Sequence, residues 1–237
     1  MTAKSLVLVP GLMCDNTVWR HQIAVLGAGR DIVVAEHALS DSLGLMAERI
    51  LDVAPSQFAL AGHSMGGRVA LEVVARAPER VSRLALLDTG YEALAHGEAG
   101  DREQAGRYRL LEIAQRDGML AMAKDWARGM VHPARLTDQT LMDAIYSMIA
   151  AAGVAVFEAQ IRALLARPDR TQLLATVRMP TLVLCGSDDN WSPLSRHEDM
   201  ARLIKGSHLV GVPDCGHMST MERPEAITTA MLAWLET

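Results

Sequence analysis

The sequence predicts an α/β fold, namely a mostly parallel, doubly wound sheet of six to seven strands with an inserted helical cap. Three observations lead to this prediction. Short runs rich in β-branched residues alternate with stretches of helical periodicity, and the strand-like runs are apolar at consecutive positions. One long central stretch has a helical pattern alone.

The strand predictions rest on those short apolar runs. Because their apolar residues do not alternate with polar ones, they are typical of parallel strands that are covered on both faces. The predicted strands lie at residues 6–9, 32–35, 58–61, 84–88, 181–185 and 209–212.

Amphipathic segments separate the strands. The predicted helices lie at residues 17–26, 45–53, 66–77, 193–204 and 222–235. The first three connect successive strands, so βαβ units in a doubly wound parallel sheet are the simplest topology.

The stretch between Thr89 and Met179 contains helical pattern only. Its roughly ninety residues are too many for a single crossover between two strands. We therefore predict a core of residues 1–90 and 176–237 and a helical cap of residues 91–175. A cap at the carboxyl ends of the strands would cover the edge where open α/β sheets bind ligands.

The composition excludes several classes of protein. Of the 237 residues, 50% are apolar and 22% are charged, unlike a disordered chain or a disulfide framework. The net charge is −5 without a basic run, so nucleic acid is not expected as a partner. The longest uninterrupted apolar run, residues 148–157, is about half of a membrane span, so no membrane partner is expected either.

The cysteines indicate the compartment. Cys14, Cys185 and Cys215 are an odd number and lack the spacing of a metal site. This pattern favours a reducing environment, and a cytoplasmic location is predicted.

The strongest chemical signal is Gly62-His63-Ser64-Met65-Gly66, a G-x-S-x-G sequence between a predicted strand and a predicted helix. At such a corner the serine hydroxyl stands above the edge of the sheet, and the glycines let adjoining backbone segments approach closely. The positive end of the following helix dipole faces the reacting atoms. Ser64 is therefore the candidate nucleophile.

A serine nucleophile needs a base, and the base needs a carboxylate. Of the eight histidines, His217 lies between the last predicted strand and the final helix, at the same sheet edge as Ser64. The preceding strand runs into a turn that contains Asp188 and Asp189. The chemistry of the residues leaves both aspartates open as the acid.

The order of Ser64, an aspartate and His217, each at the carboxyl end of a strand, resembles the α/β-hydrolase superfamily over nearly the whole chain. The chain is most similar to its compact, capped esterase and enol-lactonase-like branch. Members carry G-x-x-D-x-x-x-P at the acid turn, and this register implies Asp189. The family's G-H-x-x-x-x-E-x-P pattern is matched at Gly216, His217, Glu222 and Pro224.

The resemblance also implies an oxyanion hole made of two backbone amides, those of Met65 and Leu12. The chain departs from the family at Pro10-Gly11, where members usually have His-Gly. Trp191, two residues after Asp189, is a candidate substrate contact, with core packing as an equal alternative.

The resemblance implies a serine hydrolase that cleaves small to medium carboxylic esters through an acyl-enzyme, with a small-molecule ester as its partner. Hydrolysis of a lactone, a thioester or a carbon–carbon bond on the same triad remains an alternative, as does a non-catalytic ligand-binding protein. No sequence motif points to a cofactor or a metal. Residues 91–170 carry 11 acidic and 10 basic side chains, which gives no indication of a charged substrate.

Overall fold

The computed structural model of the chain describes residues 4–237. The predicted core begins at residue 1, so its first three residues lie outside the described part. The six strands are β1 (Ser5–Val9), β2 (Asp31–Val34), β3 (Phe58–His63), β4 (Val81–Leu87), β5 (Thr181–Gly186) and β6 (His208–Val212).

Eleven α-helices accompany these strands in the described residues. They are α1 (Arg20–Leu26), α2 (Leu43–Val53), α3 (Met65–Arg76), α4 (Glu98–Asp117), α5 (Met119–Trp126), α6 (Gln139–Ala152), α7 (Val154–Leu165), α8 (Thr171–Leu174), α9 (Leu194–Leu203), α10 (Ser219–Glu222) and α11 (Pro224–Glu236). Short 3-10 helices cover Asn16–Trp19, Pro78–Arg80, Ala127–Gly129 and Pro133–Arg135.

The strands form one parallel sheet in the order β2-β1-β3-β4-β5-β6. The predicted doubly wound parallel sheet is confirmed, with six strands. The chain order reverses between β1 and β3, and open α/β sheets bind ligands beyond the carboxyl ends of strands at such a switch point. The segments after β1 and after β3 therefore meet where a site is expected.

Burial in the sheet follows the position of each strand. Every residue of the central strands β3 and β5 is buried, while the edge strands β2 and β6 are partly exposed. This pattern explains why apolar runs without alternation marked the strands in the sequence.

Two of the differences from the sequence prediction have identifiable reasons. Strand β4 begins at Val81, three residues before the predicted start, because the polar Ser82 and Arg83 obscured the pattern. Arg83 is buried, and its Nε donates to the Trp234 carbonyl at 3.3 Å. The predicted helix 222–235 corresponds to α11, which begins two residues later, since Pro224 has no amide hydrogen and starts a new helix after the short α10.

The segment between β4 and β5 contains the helices α4 to α8 and no strand among the described residues. Within residues 4–237, no single helix is both long and apolar enough to cross a membrane. Only α6 and α7 taken together reach the necessary length and apolarity, and they meet at an angle of 91°.

Candidate active site

Ser64 occupies a tight turn between the end of β3 and the start of α3. Its φ of 55° and ψ of −119° lie outside the regions that non-glycine residues normally adopt. The backbone around it holds this conformation, because the Ser64 amide donates to the Leu87 carbonyl at 2.9 Å. The Ser64 carbonyl accepts from the Thr89 hydroxyl at 2.6 Å. The turn presents the hydroxyl to a cavity at the carboxyl edge of the sheet.

The two glycines of the motif are required by close backbone contacts. A Cβ at Gly62 would overlap the carbonyl of Gly66. A Cβ at Gly66 would overlap the carbonyl of Val9 at the end of β1. The turn therefore packs directly against the neighbouring strand, as the sequence motif predicted.

Ser64, His217 and Asp189 form a continuous chain of hydrogen bonds. The Ser64 Oγ lies 2.8 Å from His217 Nε2, and His217 Nδ1 lies 2.7 Å from Asp189 Oδ2. The other carboxylate oxygen of Asp189 accepts from the amides of Trp191 at 2.8 Å and Ser192 at 2.9 Å. These bonds fix the carboxylate so that it can receive the imidazole N–H and leave Nε2 free to accept a proton.

The two candidate aspartates have different surroundings. Asp189 is 2% exposed and faces His217. Asp188 is exposed, and its carboxylate accepts from the Ser187 hydroxyl at 2.7 Å. The structure thus brings Asp189, and not Asp188, to the imidazole.

The charges of this pair shift the pKa values of both groups. Burial opposes ionisation of His217, but the charge and hydrogen bond of Asp189, together with the charges of Asp88 and Glu222, outweigh it and raise the pKa of the imidazole above 6.5. Burial likewise opposes the charged form of Asp189, yet the His217 charge and the hydrogen bonds lower the pKa of this carboxyl. Asp189 is therefore ionised near neutral pH and stabilises a protonated His217.

Glu222 supports the loop that contains His217. Its buried carboxylate accepts from the amides of Gly216 at 3.1 Å and Met218 at 3.2 Å, the residues on either side of His217. Burial raises the pKa of Glu222 despite these amide donors. One carboxylate, five residues after His217, thus holds the loop on both sides of the imidazole.

The same loop is attached to the segment between β4 and β5. The Met130 carbonyl accepts from the His217 amide at 2.7 Å, and the His132 amide donates to Glu222 at 2.8 Å. The position of the imidazole is therefore coupled to the inserted helices.

Two backbone amides are free to receive negative charge near Ser64. Leu12 follows β1 and Met65 follows Ser64, and both line the cavity. Neither amide has a hydrogen-bond acceptor within residues 4–237. The next amide, that of Met13, donates to Gln160 Oε1 on α7 at 2.9 Å, which fixes the path of this loop despite its Pro10-Gly11 departure from the family pattern.

Asp88, at the end of β4, is a buried carboxylate that sequence reasoning did not identify. It accepts from the Ser219 hydroxyl and from the Gly186 amide at 3.0 Å. Burial, and then the Asp189 charge, raise the pKa of Asp88. The sequence offered one indication of Asp88: like the site residues, it lies at the carboxyl end of a predicted strand.

His63 precedes the nucleophile and is hydrogen-bonded to the loop that contains His217. Its Nε2 donates to the His217 carbonyl at 2.8 Å. Burial, and then the His217 charge, lower the pKa of His63 to about 3, so this ring is neutral.

The cavity above Ser64 has a volume of about 490 Å³, which suits a small to medium ligand. Trp191 lines it, with its ring 5.0 Å from the His217 ring and stacked on Trp126 at 5.6 Å. Phe157 from α7 adds a further apolar surface. Within residues 4–237, no group of three or more histidine, cysteine, aspartate or glutamate side chains is arranged to hold a metal ion.

One side of the cavity is rich in arginine. Glu103 is the single carboxylate among the described lining residues. The lining arginines are Arg68, Arg102, Arg107, Arg109, Arg167 and Arg196. The near balance of charge over residues 91–170 gave no indication of this arrangement, because Arg68 and Arg196 join the cavity from outside that segment.

Comparisons with known proteins agree with this fold. A family model described as the alpha/beta hydrolase fold matches residues 51–224. The pimeloyl-acyl-carrier-protein methyl ester esterase of Nitrosomonas europaea is 24% identical over 84% of this chain and 77% of its own. A thermophilic esterase from Thermogutta terrifontis has a similar structure, with a TM-score of 0.86, 28% identity, and coverage of 99% of this chain and 90% of its own. The enol-lactonase of Burkholderia xenovorans LB400 shares the fold at a TM-score of 0.86 and 20% identity, over 100% and 93% of the two chains.

Proposed function

Because this chain belongs to the alpha/beta-hydrolase family, we propose that it is a serine hydrolase that cleaves small to medium carboxylic esters through an acyl-enzyme. The observation that carries the proposal is the hydrogen-bonded series from Asp189 through His217 to the Ser64 hydroxyl at the cavity surface. Such a series supplies a nucleophile, its base and the carboxylate that orients the base.

In the first step His217 Nε2 removes the Ser64 proton as Oγ attacks the ester carbonyl. The carbonyl π bond opens, and its electron pair becomes an oxyanion. Asp189 stabilises the imidazolium that results. The imidazolium then gives its proton to the departing alcohol, and an ester between Ser64 and the acyl group remains.

The Leu12 and Met65 amides receive the oxyanion. Their lack of an internal acceptor supports this role, since a donor already satisfied within the protein would contribute little. One such donor is typically worth about 3 kcal/mol of transition-state stabilisation.

Water completes the reaction. His217 takes a proton from a water molecule as its oxygen attacks the acyl-enzyme, and the acid is released when Ser64 Oγ recovers a proton. The helices α4 to α8 act as the cap of residues 91–175, and the aromatic surface of Trp191 and Phe157 faces the apolar part of the substrate.

The pH dependence of the reaction tests this proposal. His217 must be neutral to act as a base, so kcat/KM should fall as the pH is lowered through its pKa. Because Asp189 raises that pKa, the acid limb is expected above pH 6.5 and should move to lower pH in Asp189→Asn. The measurement is a kcat/KM profile on a neutral ester at constant ionic strength. A profile without a limb in the histidine range, or a limb unchanged in Asp189→Asn, would contradict the assigned base.

A further inference from the structure

Arg68 differs from the other five cavity arginines in its charge partners. Arg107 and Arg167 both bind Glu103 at 2.8 Å. Arg196 lies 3.8 Å from Glu92. The two remaining arginines are paired with Glu98 (Arg102) and Asp125 (Arg109). Within the described chain, no carboxylate lies at salt-bridge distance from Arg68.

The position of Arg68 relates it to the nucleophile. Ser64 immediately precedes α3, and Arg68 lies four residues further along, one helical turn away on the same face, so both residues line the same cavity. Its Nη1 donates to the Glu92 carbonyl at 2.7 Å. A side chain at Gly90 would meet Arg68 Nη2 at 2.5 Å, so the glycine leaves room for the guanidinium.

The guanidinium retains unused donors. Nε and Nη2 of Arg68 have no hydrogen-bond partner within residues 4–237. Burial, and then the charges of Arg167 and Arg196, lower the pKa of Arg68 to about 9, which still leaves it charged at neutral pH. A half-buried cation with like charges around it is costly unless an anion compensates it.

We propose that the substrate carries, besides its ester, a carboxylate that Arg68 binds inside the cavity. This inference rests on the proposed hydrolase function and names its substrate class. A guanidinium with two free donor nitrogens matches the two oxygens of a carboxylate, and one unpaired positive charge matches one negative charge.

The test compares substrates that differ in charge alone. These are the monomethyl esters of succinic, glutaric and adipic acid, and the corresponding neutral ester amides. For the chain length that spans the distance from Ser64 to Arg68, kcat/KM should favour the carboxylate about 10- to 100-fold, the magnitude of a charge-assisted hydrogen bond. In Arg68→Met this ratio should fall to near one, and Arg68→Lys should keep an intermediate ratio because its charge remains.

Arg109→Met is the matched control. Arg109 lines the same cavity but is already paired with Asp125 at 2.7 Å. This variant should keep the carboxylate preference of the wild type. An equal loss of the preference in both variants would reduce the effect to general cavity charge and overturn the role of Arg68.

Failure of this inference and failure of the proposed function have different signatures. Serine-dependent hydrolysis of both esters at equal kcat/KM would overturn the carboxylate site and leave the hydrolase intact. If neither ester is hydrolysed, calorimetric titration of Ser64→Ala with monomethyl adipate and its amide decides the question separately. Preferential binding of the carboxylate that is lost on adding Arg68→Met supports the site, and equal binding overturns it.

Discussion

Replacement of Ser64 by alanine is expected to lower kcat for p-nitrophenyl butyrate by about 10⁵- to 10⁶-fold. The reason is that the variant loses the atom that attacks the carbonyl, and the base then has no nucleophile to activate. The measurement is release of p-nitrophenol under steady-state conditions, with the uncatalysed rate subtracted.

The fold of Ser64→Ala should be intact. The bonds that hold the turn come from the Ser64 backbone to Leu87 and Thr89, and alanine retains them. Thermal unfolding followed by circular dichroism should match the wild type within a few degrees. A folded variant with substantial remaining turnover would exclude Ser64 as the nucleophile.

The second large effect concerns the two neighbouring aspartates. Asp189→Asn should lower kcat by about 10⁴-fold, because an amide cannot stabilise the imidazolium and favours the wrong tautomer of His217. Asp188→Asn is the matched control and should be close to wild type, since its exposed carboxylate contacts Ser187 and not His217. Both variants would be assayed on the same ester and checked for a native unfolding transition.

The opposite result for the two aspartate variants would require a different catalytic acid. A crippled Asp188→Asn beside an active Asp189→Asn would mean that the acid turn has another register in the working enzyme. Equal activity of both would point to a further carboxylate, and Asp88, buried at the end of β4, would be the candidate.

Most of the fold could be predicted from the sequence because each element has a local signature. The central strands are buried on both faces and read as apolar runs, and the amphipathic helices show their period. The early start of β4 was missed because its cause is a long-range contact. Arg83 is buried within β4 through a hydrogen bond to Trp234, a partner distant in sequence. No strand pattern could reveal that contact.

The candidate site could be predicted from the sequence for a related reason. Ser64, Asp189 and His217 each follow a strand of a parallel sheet, so the topology brings their positions to one edge before any side chain is considered. Asp88 satisfies the same criterion at the end of β4, but no chemical motif surrounds it. The support that Glu222 gives to the His217 loop is visible in sequence only as a family pattern.

The arginine side of the cavity could not be predicted, because it depends on packing between distant segments. Arg68 lies on α3, Arg196 lies on α9, and the other four belong to the inserted segment and its connection to the core. The acidic and basic side chains of residues 91–170 nearly balance, so a count of charges gives no indication of this cluster. Only the folded arrangement leaves Arg68 without a carboxylate while its neighbours share Glu103.

The most direct test of the mechanism is to label the protein with a fluorophosphonate and locate the adduct by peptide mass spectrometry. An activated serine attacks the phosphorus and displaces fluoride, so we expect one adduct per chain, on Ser64. Labelling should be lost in Ser64→Ala and strongly slowed in Asp189→Asn, while Asp188→Asn should label like the wild type. An ester-hydrolysing wild type that remains unlabelled at Ser64, or that carries its adduct on another residue, would contradict the assigned nucleophile.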